Sequence, residues 1–217
     1  NGVEENKESV NYYTNLAIEA TRINTNLPTL LASAATAATK SHMTNYVRWE
    51  MGDGLVLLVR GQVNALTADG QKSVLLRALL EYEWGRGAAD WRQRLGVERA
   101  SVLAAELKCN SARMCRWICS AILLSVCCLK ISFVSRQSPR DRTRHAILGV
   151  HDIEPYEFAD QMGIDIANGF GIVKSMALRF FDGKDMAVST GRTVVMRDPQ
   201  KPMLRIYLAP GATLTPA

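Results

Sequence analysis

The chain is 217 residues long, 47% hydrophobic and 22% charged, with a formal charge of +5. That composition excludes wholesale disorder, and the length suffices for one sizeable core, or for a core with an independently packed lobe. The charge is uneven: residues 86–144 carry twelve basic against four acidic side chains and residues 145–183 carry two against six, which points to a polyanion partner or to charge-paired contacts between copies.

Taken in chain order, Val10, Tyr13, Ala17 and Ala20 recur at helical spacing after a polar start. Asn26-Leu27-Pro28 predicts the end of that helix and the start of a second over 29–40, with Asn26 as cap and Pro28 in the first turn. Gly52-Asp53-Gly54 marks a turn, and Leu55–Leu66 reads equally as a buried strand or a short helix. Thr67-Ala68-Asp69-Gly70 predicts the start of a helix to about Trp84, with Val74, Leu75, Ala78, Leu79 and Tyr82 on one side. Gly85-Arg86-Gly87 breaks it. A short helix over 88–95 follows, then helical propensity from Glu98 to about Leu129 with a break at Asn110-Ser111. Beyond Arg144, helices are expected over 154–162 and 166–181. Three strands then follow, MAVST, RTVVMR and MLRIYLA, the last two joined through Asp198-Pro199-Gln200-Lys201. The expected fold is mainly α: a helical bundle with a small C-terminal β-hairpin or meander and extended termini. It divides into an N-terminal helical arm (1–54), a central helical core with the basic segment (55–144) and a C-terminal α+β lobe and tail (145–217).

All five cysteines lie between Cys109 and Cys128, with no CxxC pair and no histidine within 15 residues. Zinc spacing is therefore lacking, and reduced, buried cysteine acting as a small hydrophobe fits better. Trp117–Val134 has only Lys130 charged over 18 residues, short of the roughly 20 a spanning helix needs, so a buried helix is expected there. Reduced thiols imply a reducing intracellular compartment, cytoplasm or virion, with an organelle left open because the sequence starts at Asn1 and a targeting segment can be removed.

Directly after this stretch come Arg136, Arg140, Arg142 and Arg144. Pro139 and the alternating arginines predict an extended segment with Arg140, Arg142 and Arg144 on one side, a geometry that tracks a phosphate backbone; Arg113 and Arg116 widen the basic surface. Such contacts carry affinity without sequence specificity. The bland alternative is a solvated loop, or arginines paired with Asp152, Glu154, Glu157 and Asp160. Trp91, in DWRQR, is followed by two arginines and is a candidate for stacking or for an interface, whereas Trp84 and Trp117 sit in apolar patterns.

Catalytic signatures are absent. His145, His151, Asp152, Glu154, Glu157 and Asp160 collect metal-capable side chains at no established spacing. Gly169-Phe170-Gly171-Ile172-Val173-Lys174-Ser175 lacks the glycine a phosphate loop needs immediately before its lysine. Phe180-Phe181-Asp182-Gly183 resembles the FFDG of coat proteins of some flexuous filamentous plant viruses. That similarity covers four residues, and no family is assigned on it.

The expected function is a non-enzymatic, self-associating RNA-binding protein, nucleocapsid- or coat-like. Arg113, Arg116, Arg136, Arg140, Arg142 and Arg144 contact phosphates, with no cofactor, no metal and no membrane. The second reading is an accessory structural subunit of a large organellar or membrane-associated assembly, and the third a small metal-dependent hydrolase or nuclease.

Overall fold

The computed structural model describes residues 9–34, 43–81, 90–181 and 192–209. Helix accounts for 42% and strand for 33%, in several sheets, which overturns the mainly helical bundle. The chain forms two compact units, one of residues 1–49 and 56–166, the other of residues 50–55 and 167–217.

The first unit is built around a four-stranded mixed sheet of order β3-β4-β5-β6, comprising β3 (Ala65–Leu66), β4 (Ser73–Leu80), β5 (Cys128–Arg136) and β6 (His145–Ile153). β4 and β5 run parallel, with Val74 opposite Cys128 and Leu80 opposite Val134, and β6 returns antiparallel from Arg136↔His145 to Leu129↔Ile153. Strand β4 is where a helix was expected. Its run VLLRALL is buried on both faces, and a two-sided strand produces a continuous apolar run that helical spacing also fits. The same ambiguity hides β5. The oily stretch is helical only to Leu123 and becomes strand at Cys128.

Helix α1 (Tyr13–Ala34) covers one face of this sheet. Ile23 and Leu27 pack with Val74, Leu76, Ala78 and Val134. The helix runs through Pro28, where a break was expected. Burying Ile23 and Leu27 offsets the interior proline, which costs about 3 kcal/mol in isolation. Because β3 is only two residues long, most of β4's outer edge needs other partners. Asn64 Oδ1 accepts from the Leu76 amide at 3.2 Å, Asn24 Oδ1 from the Ala78 amide at 2.9 Å, and Asn24 Nδ2 donates to the Ala78 carbonyl at 3.1 Å. Side-chain amides thus finish the ladder and blunt an otherwise open edge.

On the opposite face, Leu75, Leu79, Leu129, Ile131 and Phe133 are buried beneath α2 (Trp91–Arg94) and α3 (Arg99–Leu123). Trp91 meets Phe133 edge-on with centroids 5.3 Å apart. It is therefore core, and stacking on a ligand is not open to it. Helix α3 kinks at Asn110 (φ −124°, ψ 25°), where the break was expected. Helix α4 (Pro155–Gln161) starts at Glu154, whose carboxylate accepts the Glu157 amide at 2.6 Å, and packs on α3.

The ambiguous segment Leu55–Leu66 is mostly strand, and Met43–Gly52, placed in a helical arm by the sequence reading, is also strand. β1 (Met43–Gly52) and β2 (Leu55–Val63) form a two-stranded sheet with alternating burial. The turn between them holds Gly52, Asp53 and Gly54 at φ +78°, +53° and +73°, a region that glycine enters freely. Trp49 Nε1 donates to the Leu123 carbonyl at 2.9 Å and Asn45 Nδ2 to the Leu124 carbonyl at 3.2 Å, so the ribbon satisfies the C-terminal end of α3. Gly61 lies against Leu124, and a Cβ there would come within 2.5 Å of its side chain.

In the second unit, Lys174 of α5 (Ile166–Phe181) pairs with Asp53 at 2.6 Å. β7 (Arg192–Arg197) and β8 (Leu204–Ala209) form an antiparallel hairpin. Its turn is organised by the buried Asp198, which accepts the Gln200 and Lys201 amides and the Arg205 guanidinium. The segment MAVST, Trp84 and Asp182-Gly183 lie outside the described residues.

Candidate nucleic-acid interface

The structure divides the six arginines singled out from sequence. Arg136, at the end of β5, is 1% exposed. Its Nε donates to Glu19 Oε1 at 2.8 Å, and one terminal nitrogen donates to Glu19 Oε2 at 2.5 Å and to the Val10 carbonyl at 3.1 Å. The other donates to Asn11 Oδ1 and the Pro139 carbonyl, both at 2.9 Å. All of the guanidinium's nitrogens are thereby engaged within the chain. His145 Nε2 lies 2.8 Å from Glu19 Oε1 and completes a buried trio. Burial pushes the Glu19 carboxyl up, but the hydrogen bonds and charges of Arg136 and His145 outweigh it and hold it below its ordinary value. No local pattern signals this trio, because Glu19 and Arg136 are 117 residues apart.

Arg140, Arg142 and Arg144 are exposed in the loop joining β5 to β6. That loop is compact, not extended as predicted. The Asp141 amide donates to the Ser138 carbonyl, Asp141 Oδ1 accepts both the amide and the hydroxyl of Thr143, and Asp141 Oδ2 takes Arg144 Nε at 2.6 Å. The hydrogen bonds from Thr143 and Arg144 hold the Asp141 carboxyl far below its ordinary value. One acidic side chain thus organises the loop and occupies one of its three arginines.

Arg113 and Arg116 are exposed on α3. Arg113 lines a cleft of about 200 Å³ with Tyr13, Leu16, Leu79, Glu106 and Asn110. Burial raises the Glu106 carboxyl there, against the hydrogen bond from Asn110 and the charge of Arg113. Arg116 lies near Arg77, whose guanidinium is shifted down by burial and by that like charge. Arg77 itself donates to Asn64 Oδ1 and the Leu76 carbonyl.

The five cysteines are free thiols; Cys109 is exposed and the others are half-buried rather than fully buried. Among the described residues no cluster of three or more histidine, cysteine, aspartate or glutamate side chains forms a metal site, and no helix is long and apolar enough to cross a membrane.

The family model described as eukaryotic translation initiation factor 3 subunit 7 matches residues 1–208. The chain belongs to that family. A eukaryotic translation initiation factor 3 subunit from Neosartorya fischeri is 32% identical over 241 residues, covering 95% of this chain and 41% of the relative. Its counterpart from Drosophila grimshawi is 34% identical over 228 residues, covering 94% and 40%, and that from Arabidopsis thaliana is 38% identical over 167 residues, covering 76% and 27%. The chain spans about two-fifths of the length of the fungal and insect relatives.

Membership in the initiation factor 3 subunit 7 family overturns the nucleocapsid or coat function, with its virion setting, and the hydrolase or nuclease alternative. The self-associating coat loses its support as well, since the relatives bear the name of one subunit of an initiation factor. The basic segment misled because exposed arginines serve any RNA-contacting protein alike.

Proposed function

We propose that this member of the initiation factor 3 subunit 7 family acts in the cytoplasm as a non-enzymatic subunit of the initiation factor 3 assembly. In it, Arg140, Arg142 and Arg144 contact RNA phosphates. The observation that carries the subunit reading is the family match over residues 1–208. The RNA contact is supported by three exposed arginines on a loop that leaves a fully buried strand end. Arg113 and Arg116, exposed on α3, are secondary candidates, and Arg136 is not available to a ligand.

Arginine on an ordered loop suits phosphate, because its fork presents paired donors at a fixed geometry. Phosphate contacts of this kind fix position and affinity rather than sequence preference. The test is filter binding of a single-stranded RNA across a salt series, with Arg140, Arg142 and Arg144 replaced together by alanine. Weaker binding with a shallower salt dependence is the expected result, and an unchanged slope would remove the RNA contact. The subunit reading is tested separately, by whether the tagged chain copurifies with other initiation factor 3 subunits from cell extract.

A further inference from the structure

A groove of about 530 Å³ opens between the first half of α3, the end of β6 and α4. Its floor is aliphatic and aromatic: Leu103, Leu107, Ile153 and Phe158. Three of these, Leu103, Ile153 and Phe158, are buried among their neighbours yet still present surface to the groove. Ala100 and Ala104, one helical turn apart and both exposed, keep the α3 wall low, so the floor is reachable from solvent.

The charge along this groove is opposite to that of the chain as a whole. Asp152, Glu154 and Glu157 stand along the β6–α4 side together with His151, and Arg99 lines the groove from α3. Asp152 is taken by Lys130 at 2.5 Å, and one oxygen of Glu154 by the Glu157 amide. The Glu157 carboxylate makes no ion pair among the described residues. A carboxylate-lined groove repels phosphates, so nucleic acid is the wrong occupant. An apolar floor beside carboxylates matches a segment that carries aliphatic anchors next to cations, the arrangement used when an amphipathic helix lies in a groove.

We infer that this groove docks a short amphipathic segment of a partner protein, with leucine or isoleucine side chains on the Leu103–Phe158 floor and lysine or arginine against Glu154 and Glu157. The inference goes beyond RNA contact and uses none of its arginines, so the two stand or fall separately. Groove volume is within the roughly 300–1,000 Å³ in which proteins seat specific ligands. Small residues at 100 and 104 allow the close approach that a docked helix requires.

The test is a nuclear magnetic resonance titration of the isotope-labelled full chain with a short acetylated peptide, leucines at helical spacing and lysines between them. Saturable shifts at Ala100, Leu107 and Gln161 are expected. A peptide with glutamates for the lysines and a peptide with serines for the leucines should both fail to saturate. Glu157→Gln should weaken the lysine peptide about threefold, as loss of one exposed charge pair does. Ala104→Trp, which fills the groove from an exposed position, should weaken it by roughly tenfold or more through direct occlusion. The variant lacking Arg140, Arg142 and Arg144 should bind the peptide as the parent chain does. Equal affinity for the lysine and glutamate peptides, no saturable shifts, or shifts on these residues from single-stranded RNA would each overturn the proposal. So would a concentration-dependent dimer in light scattering that Ala104→Trp abolishes, since a second copy would then be the occupant.

Discussion

The end of β5 and the loop that follows it carry the same side chain to opposite ends. Arg136 and Arg144 are eight positions apart in one basic run, yet Arg136 is enclosed with Glu19 and His145 while Arg144 stands in solvent against Asp141. The first is the more consequential for the fold: a guanidinium withdrawn from water must have every donor met, and removing its partner leaves a buried charge uncompensated. The second is the more consequential for ligands, because an exposed cation remains within reach of phosphate even when a surface carboxylate shares it. Buried arginine and exposed arginine differ in neighbours alone.

The comparison breaks most visibly at Arg136. Arg136→Met should cost about 3–5 kcal/mol in urea unfolding, because Glu19 stays behind as a buried carboxylate that has lost its guanidinium and keeps only His145. Pairing it with Glu19→Gln should recover part of that loss, and strict additivity of the two would argue against the ion pair. Acid sharpens the same point. Glu19 is held below its ordinary value, so its stabilisation is complete above the unfolded value of about 4.3 and declines as pH falls through the lower folded value. Glu19→Gln should therefore flatten the acid side of the stability profile while lowering stability near pH 7, measured by thermal unfolding across a pH series.

Smaller effects are expected in the loop. Replacing Arg140, Arg142 and Arg144 by alanine should leave stability within about 0.5 kcal/mol and lower the salt slope for single-stranded RNA by up to about 2. A stability loss as large as that of Arg136→Met would show that the loop arginines are structural after all. The smallest effect is that of Asp141→Asn, which frees Arg144 and adds one net positive charge. RNA affinity should rise about twofold, and a fall would show that the compact loop conformation matters more than its charge.

Several elements were legible along the chain. The turn at Gly52-Asp53-Gly54, the kink at Asn110, helices α4 and α5 and the β7–β8 hairpin fall where glycine, asparagine, proline and local periodicity put them. These signals act within a few residues, and no distant partner is needed to satisfy them. β4 and β5 were illegible because Leu75, Leu79, Leu129 and Phe133 on one face and Val74, Leu76 and Val134 on the other make a run without alternation. Pro28 was misread for the complementary reason: Ile23 and Leu27 gain enough on β4 to carry a helix through it. The arginines were legible as a basic segment. That Arg136 belongs to the core was not, since Glu19 reaches it only once α1 lies across the sheet.

The sequence by itself determined the turn at Gly52-Asp53-Gly54, the kink at Asn110, the cysteines' lack of zinc spacing, and the excess of positive charge between residues 86 and 144. It also determined, through similarity over residues 1–208, the family. Tertiary structure alone decided that VLLRALL is a strand, that one arginine of the run is walled in and three are not, and that Asp152, Glu154 and Glu157 border an apolar groove. Those outcomes depend on which surfaces are removed from water, and burial is a property of neighbours that lie far away along the chain.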